Sequence, residues 1–558
     1  MKHYSKSRRL FLAAILSIVA ISCSRKTPAD GEKTTDGHLA PRLKNLGNLN
    51  APITTKSQEA QAYFNQGLTL VYAFNHAEAL RSFKEAARLD PDCSMAYWGQ
   101  ALALAPNIND PAIGPDREQQ GYDAMAESVK RQSQASSRER ALIDALAARF
   151  SGAKDRDRQA LNEAYAAAMA KAHKTFSDDP DIATLYADSV MNTMPWNYWA
   201  KGKPKPGIPE SRAALERTIA REPNHAGANH MYIHLMEASD EVDLSIPSAD
   251  RLAGLVPAAG HLVHMPAHTY IRVGRYADAA AVNDKAIAAD EDYITQCRAQ
   301  GIYPAAYYPH NIHFLNAALY MEGRGKDALE SARKLATRHD HAALSTPGFA
   351  FVHVLKTVPV MTMVRFGQWD EILKEPEPLE DQVYGRAIYR FGRGFAFSET
   401  GKPKEAKEEL AVLKKLAAEK SLAGLKINEA NPLSKLAEIA VAMLEGEISQ
   451  KAKAFGPSAT AFNRAVQIDD DLIYSEPPDW ALAPRPYLGN SLLEAGRAAA
   501  AEKVYREDLR RHRANGWSLF GLEQSLRKQG KTVQADKAKA EFQKAWTHAD
   551  VQLARSRF

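Results

Sequence analysis

The sequence predicts an all-α protein, a solenoid of roughly nine to eleven helical hairpins, some degenerate, running over residues 58–550. Three observations predict it. From residue 60 onward the apolar residues recur at helical spacing in an Ala-rich background. Asp-Pro and Gly-Arg pairs punctuate that pattern at turns. Small, aromatic and proline residues also return at fixed places: in AYFNQGLTLVYAFNHAEALRSFKEAARLDPDC these are Gly67, Ala79, Phe83, Ala86 and Pro91. Small residues let the two helices of a hairpin approach closely, an aromatic fills the gap to the next hairpin, and proline opens the following turn.

The order small, small, aromatic, small, proline resembles the 34-residue tetratricopeptide pattern. Other segments keep its register: Ala168, Ala172 and Pro180; Pro223 and Pro257, 34 apart; Gly274-Arg275-Tyr276 with Ala279 and Ala286. Gly323-Arg324 with Ala328, Gly401 with Ala406, and Gly496-Arg497 with Tyr505 continue the series. Two insertions interrupt it, PWNYWAKGKPKPG (Pro195 to Gly207) and Gln296 to Tyr308. The stretches YWGQALALAPNIN, GANHMYIHLMEAS, GHLVHMPAHTYIRVGRYADA, GIYPAAYYPHNIHFL and VYREDLRRHRANGWSLFGL further resemble a family of large bacterial tetratricopeptide proteins, over most of residues 60–550. The resemblance implies the solenoid fold and brings no biochemical activity with it.

Across 558 residues, 72 Lys and Arg face 67 Asp and Glu, a net charge of +5 that is too balanced to point to nucleic acid. Arg510-Arg511-His512-Arg513 falls within a helical pattern and reads as a solvated face. The first 22 residues read as a signal peptide: a basic MKHYSKSRR, then an apolar LFLAAILSIVAI too short to span a bilayer. Ser7-Arg8-Arg9-Leu10-Phe11-Leu12 resembles the twin-arginine export signal, and Val19-Ala20-Ile21-Ser22-Cys23 resembles a lipobox with Cys23 as the lipidated residue. Ala20 and Ser22 also suit ordinary signal-peptidase cleavage; a Cys at the cut site ahead of a polar stretch favours lipidation. Ser24 at the next position points to the outer membrane, so the expectation is an exported protein on the periplasmic side, held to the membrane through its lipid alone. Residues 23–57 read as a flexible tether, lacking aromatics and apolar period. Cys93 and Cys297 remain, and their spacing leaves open whether they pair.

In a tetratricopeptide hairpin the first helix lines the concave groove with positions 2, 5, 9, 12 and 13. Numbering the repeats from their small residues and prolines puts His230, His234 and Glu237 at positions 5, 9 and 12 of one unit. His261, His264 and His268 take positions 2, 5 and 9 of the next, with Arg272 at 13. After the insertion, His310 and His313 take positions 2 and 5, with Tyr320 at 12. Seven of the 17 histidines are thus expected on one inward stripe. First helices of neighbouring hairpins pack about 8–10 Å apart, close enough for imidazoles to meet on one ion. Neutral imidazole with a carboxylate suits Zn, Fe, Mn, Ni or Cu.

The first expectation is therefore a metal-binding groove, for catalysis or metal handling, with His230, His234, Glu237, His261, His264, His268, His310 and His313 as candidate ligands. No residue is assigned a catalytic role. The alternative is a metal-free groove whose histidines and tyrosines contact a protein or peptide partner in envelope assembly. Asn107, Asn109, Trp196, Tyr198, Arg272 and Tyr320 are candidate rim residues, while His173, His225 and His353 read as structural. Met231, Met236 and Met265 fall toward the hairpin core rather than the groove. The sequence holds no glycine-rich phosphate loop, nucleophile elbow or Cys-based metal motif.

Overall fold

The computed structural model describes residues 34, 37–152, 157–200, 202–297, 303–339, 341–345, 348–427 and 430–558. The expected signal peptide, residues 1–22, and the expected lipid site, Cys23, lie outside the described residues. Among the described residues no helix is long and apolar enough to cross a membrane. The fold is a tetratricopeptide-type α-solenoid, divided into two compact units: residues 1–269 with 284–308, and residues 270–283 with 309–558.

In the first unit five hairpins follow one another. They are α1 (Gln58–Tyr72) with α2 (His76–Leu89), α3 (Ser94–Leu104) with α4 (Pro115–Arg131), and α5 (Ser137–Ala147) with α6 (Arg158–Thr175). Next come α7 (Pro180–Met191) with α8 (Ile208–Arg221), and α9 (Ala226–Met236) with α10 (Ile246–Leu255). The insertion between α7 and α8 carries a two-strand antiparallel ribbon, β1 (Trp199–Ala200) on β2 (Lys203–Pro204). Then follow α11 (Gly260–His264), α12 (Pro266–Val273) and α13 (Tyr276–Cys297). The helix starts are written locally. Ser57 accepts from the Ala60 amide, Asp179 from Ile182 with Pro180 as the first helical residue, and Ser136 with Glu139 forms a capping box.

The expected division of labour between small and aromatic residues holds. The Phe83 ring lies so close to Gly67 of its own hairpin that a Cβ there would sit 2.7 Å from it, and it lies closer still to Gly99 of the next hairpin. Ala79 and Ala86 are fully buried on the same face of α2. The second unit repeats the device: the Tyr505 ring is clasped between Gly489 and Gly521, spaced like Gly67 and Gly99.

One expectation changes. Residues 37–57, read as part of a tether, lie extended along the first unit with Ala40 and Ala51 buried. Their backbone amides are taken by helix side chains: Leu39 by Glu85 at 3.0 Å, Leu43 by Gln66 at 3.0 Å and Ala51 by Asn65 at 3.2 Å. The Thr54 hydroxyl donates to Glu139 at 2.6 Å. The anchors sit on α1, α2 and α5, so the segment's own composition carries no trace of them.

Adding one methyl at the Phe83 clasp overpacks it. Gly99→Ala is expected to lower unfolding stability by about 1–3 kcal/mol, read as a lower urea midpoint, and Phe83→Leu in the same chain to recover part of the loss. An unchanged midpoint would contradict the clasp.

Candidate metal centre

Helix α9 carries His230 and His234 one turn apart, and Glu237 stands at its C-cap. His261 and His264 lie on α11 and His268 on α12. The helix expected for these three histidines is interrupted in its hydrogen bonding: Pro266 has no amide to donate, while Met265 before it keeps right-handed helical backbone and bonds the His261 carbonyl at 3.0 Å. His264 and His268 still meet across the interruption, Nε2 to Nε2 at 3.0 Å.

The histidines do point inward, but not into an open groove. His230, His234, His261, His264 and His268 are all buried, at 0–3% exposure. The solenoid of the first unit winds so tightly that its fifth hairpin returns to its first, and α1 packs on α9. Gly227 permits the contact, since a Cβ there would lie 2.7 Å from the Tyr72 ring. The inner stripe is filled by the chain itself, which removes these histidines from the reach of an extended peptide.

The hydrogen bonds fix which ring nitrogens carry protons. His230 Nδ1 lies 2.6 Å from the Tyr72 carbonyl oxygen, an atom that only accepts. Nδ1 therefore holds the hydrogen, and the Nε2 of a neutral ring presents a lone pair. His234 Nδ1 lies 3.0 Å from Glu237 Oε1, so by the same argument its Nε2 is also bare. The Glu237 Oε2 atom pairs with His268 Nδ1. The carboxylate thus sets the tautomer of His234, the way outer partners orient metal-ligating imidazoles, and stands as an ion-pair partner beside His268. His230 Nε2 meets His261 Nε2 at 3.1 Å. The nitrogens of His230, His234 and His261 converge within 4.8 Å of one another. His234 Nε2, fully buried, has no hydrogen-bond partner among the described residues.

Burial is the main force on protonation here. It pushes His230 well below the usual imidazole range, and the neighbouring His234 adds to the effect. It lowers His234 too, against the opposing pull of Glu237. For Glu237 burial acts upward, but His268 and His234 beside it hold the carboxyl below the ordinary range. The result is a buried carboxylate whose ion-pair partners among the described residues include two histidines. Such a charge is costly unless an imidazolium or a cation balances it.

Aromatic rings enclose the cluster. Phe74 stacks on His234 at 5.9 Å and on His261 at 5.2 Å, and lies 4.7 Å from His230. Its backbone is left-handed, with φ of 56°, at the glycine position of a Schellman ending to α1: the Asn75 amide bonds the Leu70 carbonyl at 2.8 Å and the Phe74 amide bonds Val71 at 3.0 Å. A bulky residue there costs of order 1–3 kcal/mol, and such strain gathers at functional sites. Tyr307, in a π-helical turn over Tyr303–Tyr307, sets its edge on His261 at 4.8 Å. Tyr303 accepts from the His261 amide at 3.1 Å and donates to buried Asp290 at 2.8 Å.

Four of the expected rim residues gather in this unit. The Trp196 ring stands edge-on to His234 at 5.1 Å, and its indole N–H donates to the Ile108 carbonyl at 3.0 Å. Asn107 lies 3.3 Å from the His76 ring, Asn109 meets the Tyr307 hydroxyl, and Tyr198 is buried beside the cluster. His310, His313, Arg272 and Tyr320 belong to the second unit. His225 caps α9 by accepting from the Ala228 amide, and His353 bonds the Leu344 carbonyl, both structural roles as expected. Cys93 and Cys297 are buried and unpaired as thiols. Phe74 and Tyr307 were not singled out by the sequence; the absence of Gly at the α1 turn was the available signal for the first.

No protein-family model matches the sequence, and no curated protein matches it. Among solved structures, the human IFIT1 dimer with m7Gppp-AAAA is 14% identical with a TM-score of 0.30, covering 88% of this chain and 91% of that chain. Yeast Tom70 is 10% identical with a TM-score of 0.28, covering 89% of this chain and 91% of that chain. At these scores the likenesses carry no argument about the site or its use.

His76, beside Phe74, is pushed down to about 4 by burial first and by Arg117 second. The folded chain keeps it neutral while the unfolded chain takes up its proton near the ordinary value of ~6.5. The unfolded state then binds more protons between about pH 6.5 and 4, so stability falls as pH drops through that window. Urea midpoints at pH 7.5 and 5 are expected to show this fall, and His76→Gln to remove the part of it that His76 contributes, the other buried histidines supplying the rest.

Proposed function

We propose that the first unit is a transition-metal centre, with His230, His234 and His261 as ligands through their ring nitrogens and Glu237 as the group that orients His234. The observation that carries this is the pair of bare Nε2 atoms, on His230 and His234, each set by a Nδ1–H bond to an oxygen. In tetrahedral zinc sites, nitrogens ~2.0–2.1 Å from the ion lie about 3.4 Å apart; His230 Nε2 and His261 Nε2 lie 3.1 Å apart, joined by the His261 Nε2–H that an ion would displace to Nδ1. Three neutral ligands leave a further position for water or a small molecule, the form of a Lewis-acid or redox centre rather than a closed structural site. The Glu237 carboxylate supplies negative charge next to the ion. His264 and His268, joined through Glu237, extend the network on its other side.

The export features read from the first 23 residues support a wider proposal: an envelope protein on the periplasmic side, anchored to the outer membrane by lipid at Cys23. A twin-arginine leader suits a chain that folds and takes up its ion before export. Labelling with a radioactive fatty acid is expected to mark the wild type and to spare Cys23→Ser. Labelling of both would remove the anchor from this position.

Metal analysis of protein purified without an affinity tag tests the centre. The wild type is expected to hold close to one ion per chain in the first unit, and His230→Gln/His234→Gln to lose it. Glu237→Gln is expected to weaken affinity by about 10–100-fold while keeping the fold. Fewer than about 0.1 ion per chain in the wild type after incubation with Zn, Cu, Ni, Mn and Fe salts, with unchanged melting, would end the proposal.

A further inference from the structure

Trp196 is a large apolar residue left 42% exposed, directly over an imidazole that is almost fully buried. Its ring stands at 88° to that of His234, the histidine whose Nε2 has no partner among the described residues. Its backbone is left-handed, with φ of 62°, a conformation that bulky residues avoid. Phe74, on another side of the same imidazole, is left-handed as well. Two aromatic residues in strained backbone therefore converge on one ligand. The strain persists only because the surroundings hold it, and for Trp196 those surroundings are slight. It sits in the insertion between α7 and α8, and its side-chain polar contact is one hydrogen bond to the Ile108 carbonyl, in the turn closed by the Asn107 and Asp110 bridge. Trp199, further along, is held separately by its own bond to the Leu235 carbonyl at 2.7 Å.

We propose that Trp196 is the access residue of the centre, a hinged cover that lies on His234 when bonded to Ile108 and opens to admit the metal ion and the small ligand of its free position. This rests on the metal reading for its purpose. The opening itself does not depend on a metal. Releasing one hydrogen bond while relieving a left-handed Trp is a small change, of the kind that local openings draw on.

The test uses the full chain and two variants. Trp196→Gly removes the ring and suits a positive φ, so it is expected to fold; Trp199→Phe controls for general loosening of the ribbon. In metal-free protein, modification of His234 by diethyl pyrocarbonate, read by mass spectrometry, is expected to speed up roughly tenfold or more in Trp196→Gly. Trp199→Phe is expected to stay at the wild-type rate. In metal-loaded protein, transfer of the ion to a bulky chelator is expected to speed up by a similar factor with the ion count per chain unchanged. Equal modification and transfer rates in wild type and Trp196→Gly would overturn the cover. Equal acceleration in both variants would assign the effect to the ribbon and overturn it too. Faster modification of His234 in a protein that holds no ion would uphold the cover while rejecting the metal reading.

Discussion

The hydrogen bond from the His230 ring to the Tyr72 carbonyl joins residues 158 apart, and much of the first unit's interior follows from it. It forms only where α9 returns to α1, so it marks the closure of the solenoid. Closure converts what would be a concave surface into an interior. Once inside, an imidazole must choose a tautomer and find oxygens for its N–H, because an unmatched polar group in such a place costs a few kcal/mol. His230 finds a main-chain carbonyl, His234 finds Glu237, and the nitrogens left over converge.

The charge balance of the cluster follows from the same closure. A solvent-filled groove would screen Glu237 and let the histidines titrate near their usual values. In the closed unit burial keeps His230 and His234 neutral, while two histidines hold Glu237 ionised. The outcome is a set of neutral imidazoles beside an ionised carboxylate.

Much of this was legible in the sequence, for identifiable reasons. The Phe83 clasp is local, built from residues within one repeat of each other, so its spacing survives in the chain and announces the fold. The inward direction of His230, His234, His261, His264 and His268 follows from repeat register, and register is a local property too. Closure is not local: nothing in Tyr72 or Gly227 taken singly says that they touch. For that reason the histidines were expected to line a groove and are instead enclosed. The packed course of residues 37–57 was hidden likewise, because Glu85, Gln66, Asn65 and Glu139 hold it from elsewhere. Pro266 was in plain view and interrupts its helix's hydrogen bonding for the usual reason. Phe74 stood where glycine ordinarily ends a helix, and a left-handed aromatic there becomes meaningful only beside the rings it touches.

The bond between His230 and Tyr72 also sets a schedule. At ~5–20 residues per second, a ribosome takes roughly 8–30 s to travel from one to the other. Throughout that interval the first hairpin can exist with Phe74 lacking the imidazoles of His230, His234 and His261. His261 and His268 arrive later still. The cluster is therefore assembled from pieces that wait for one another, and its cover of Tyr303 and Tyr307 arrives after all five histidines.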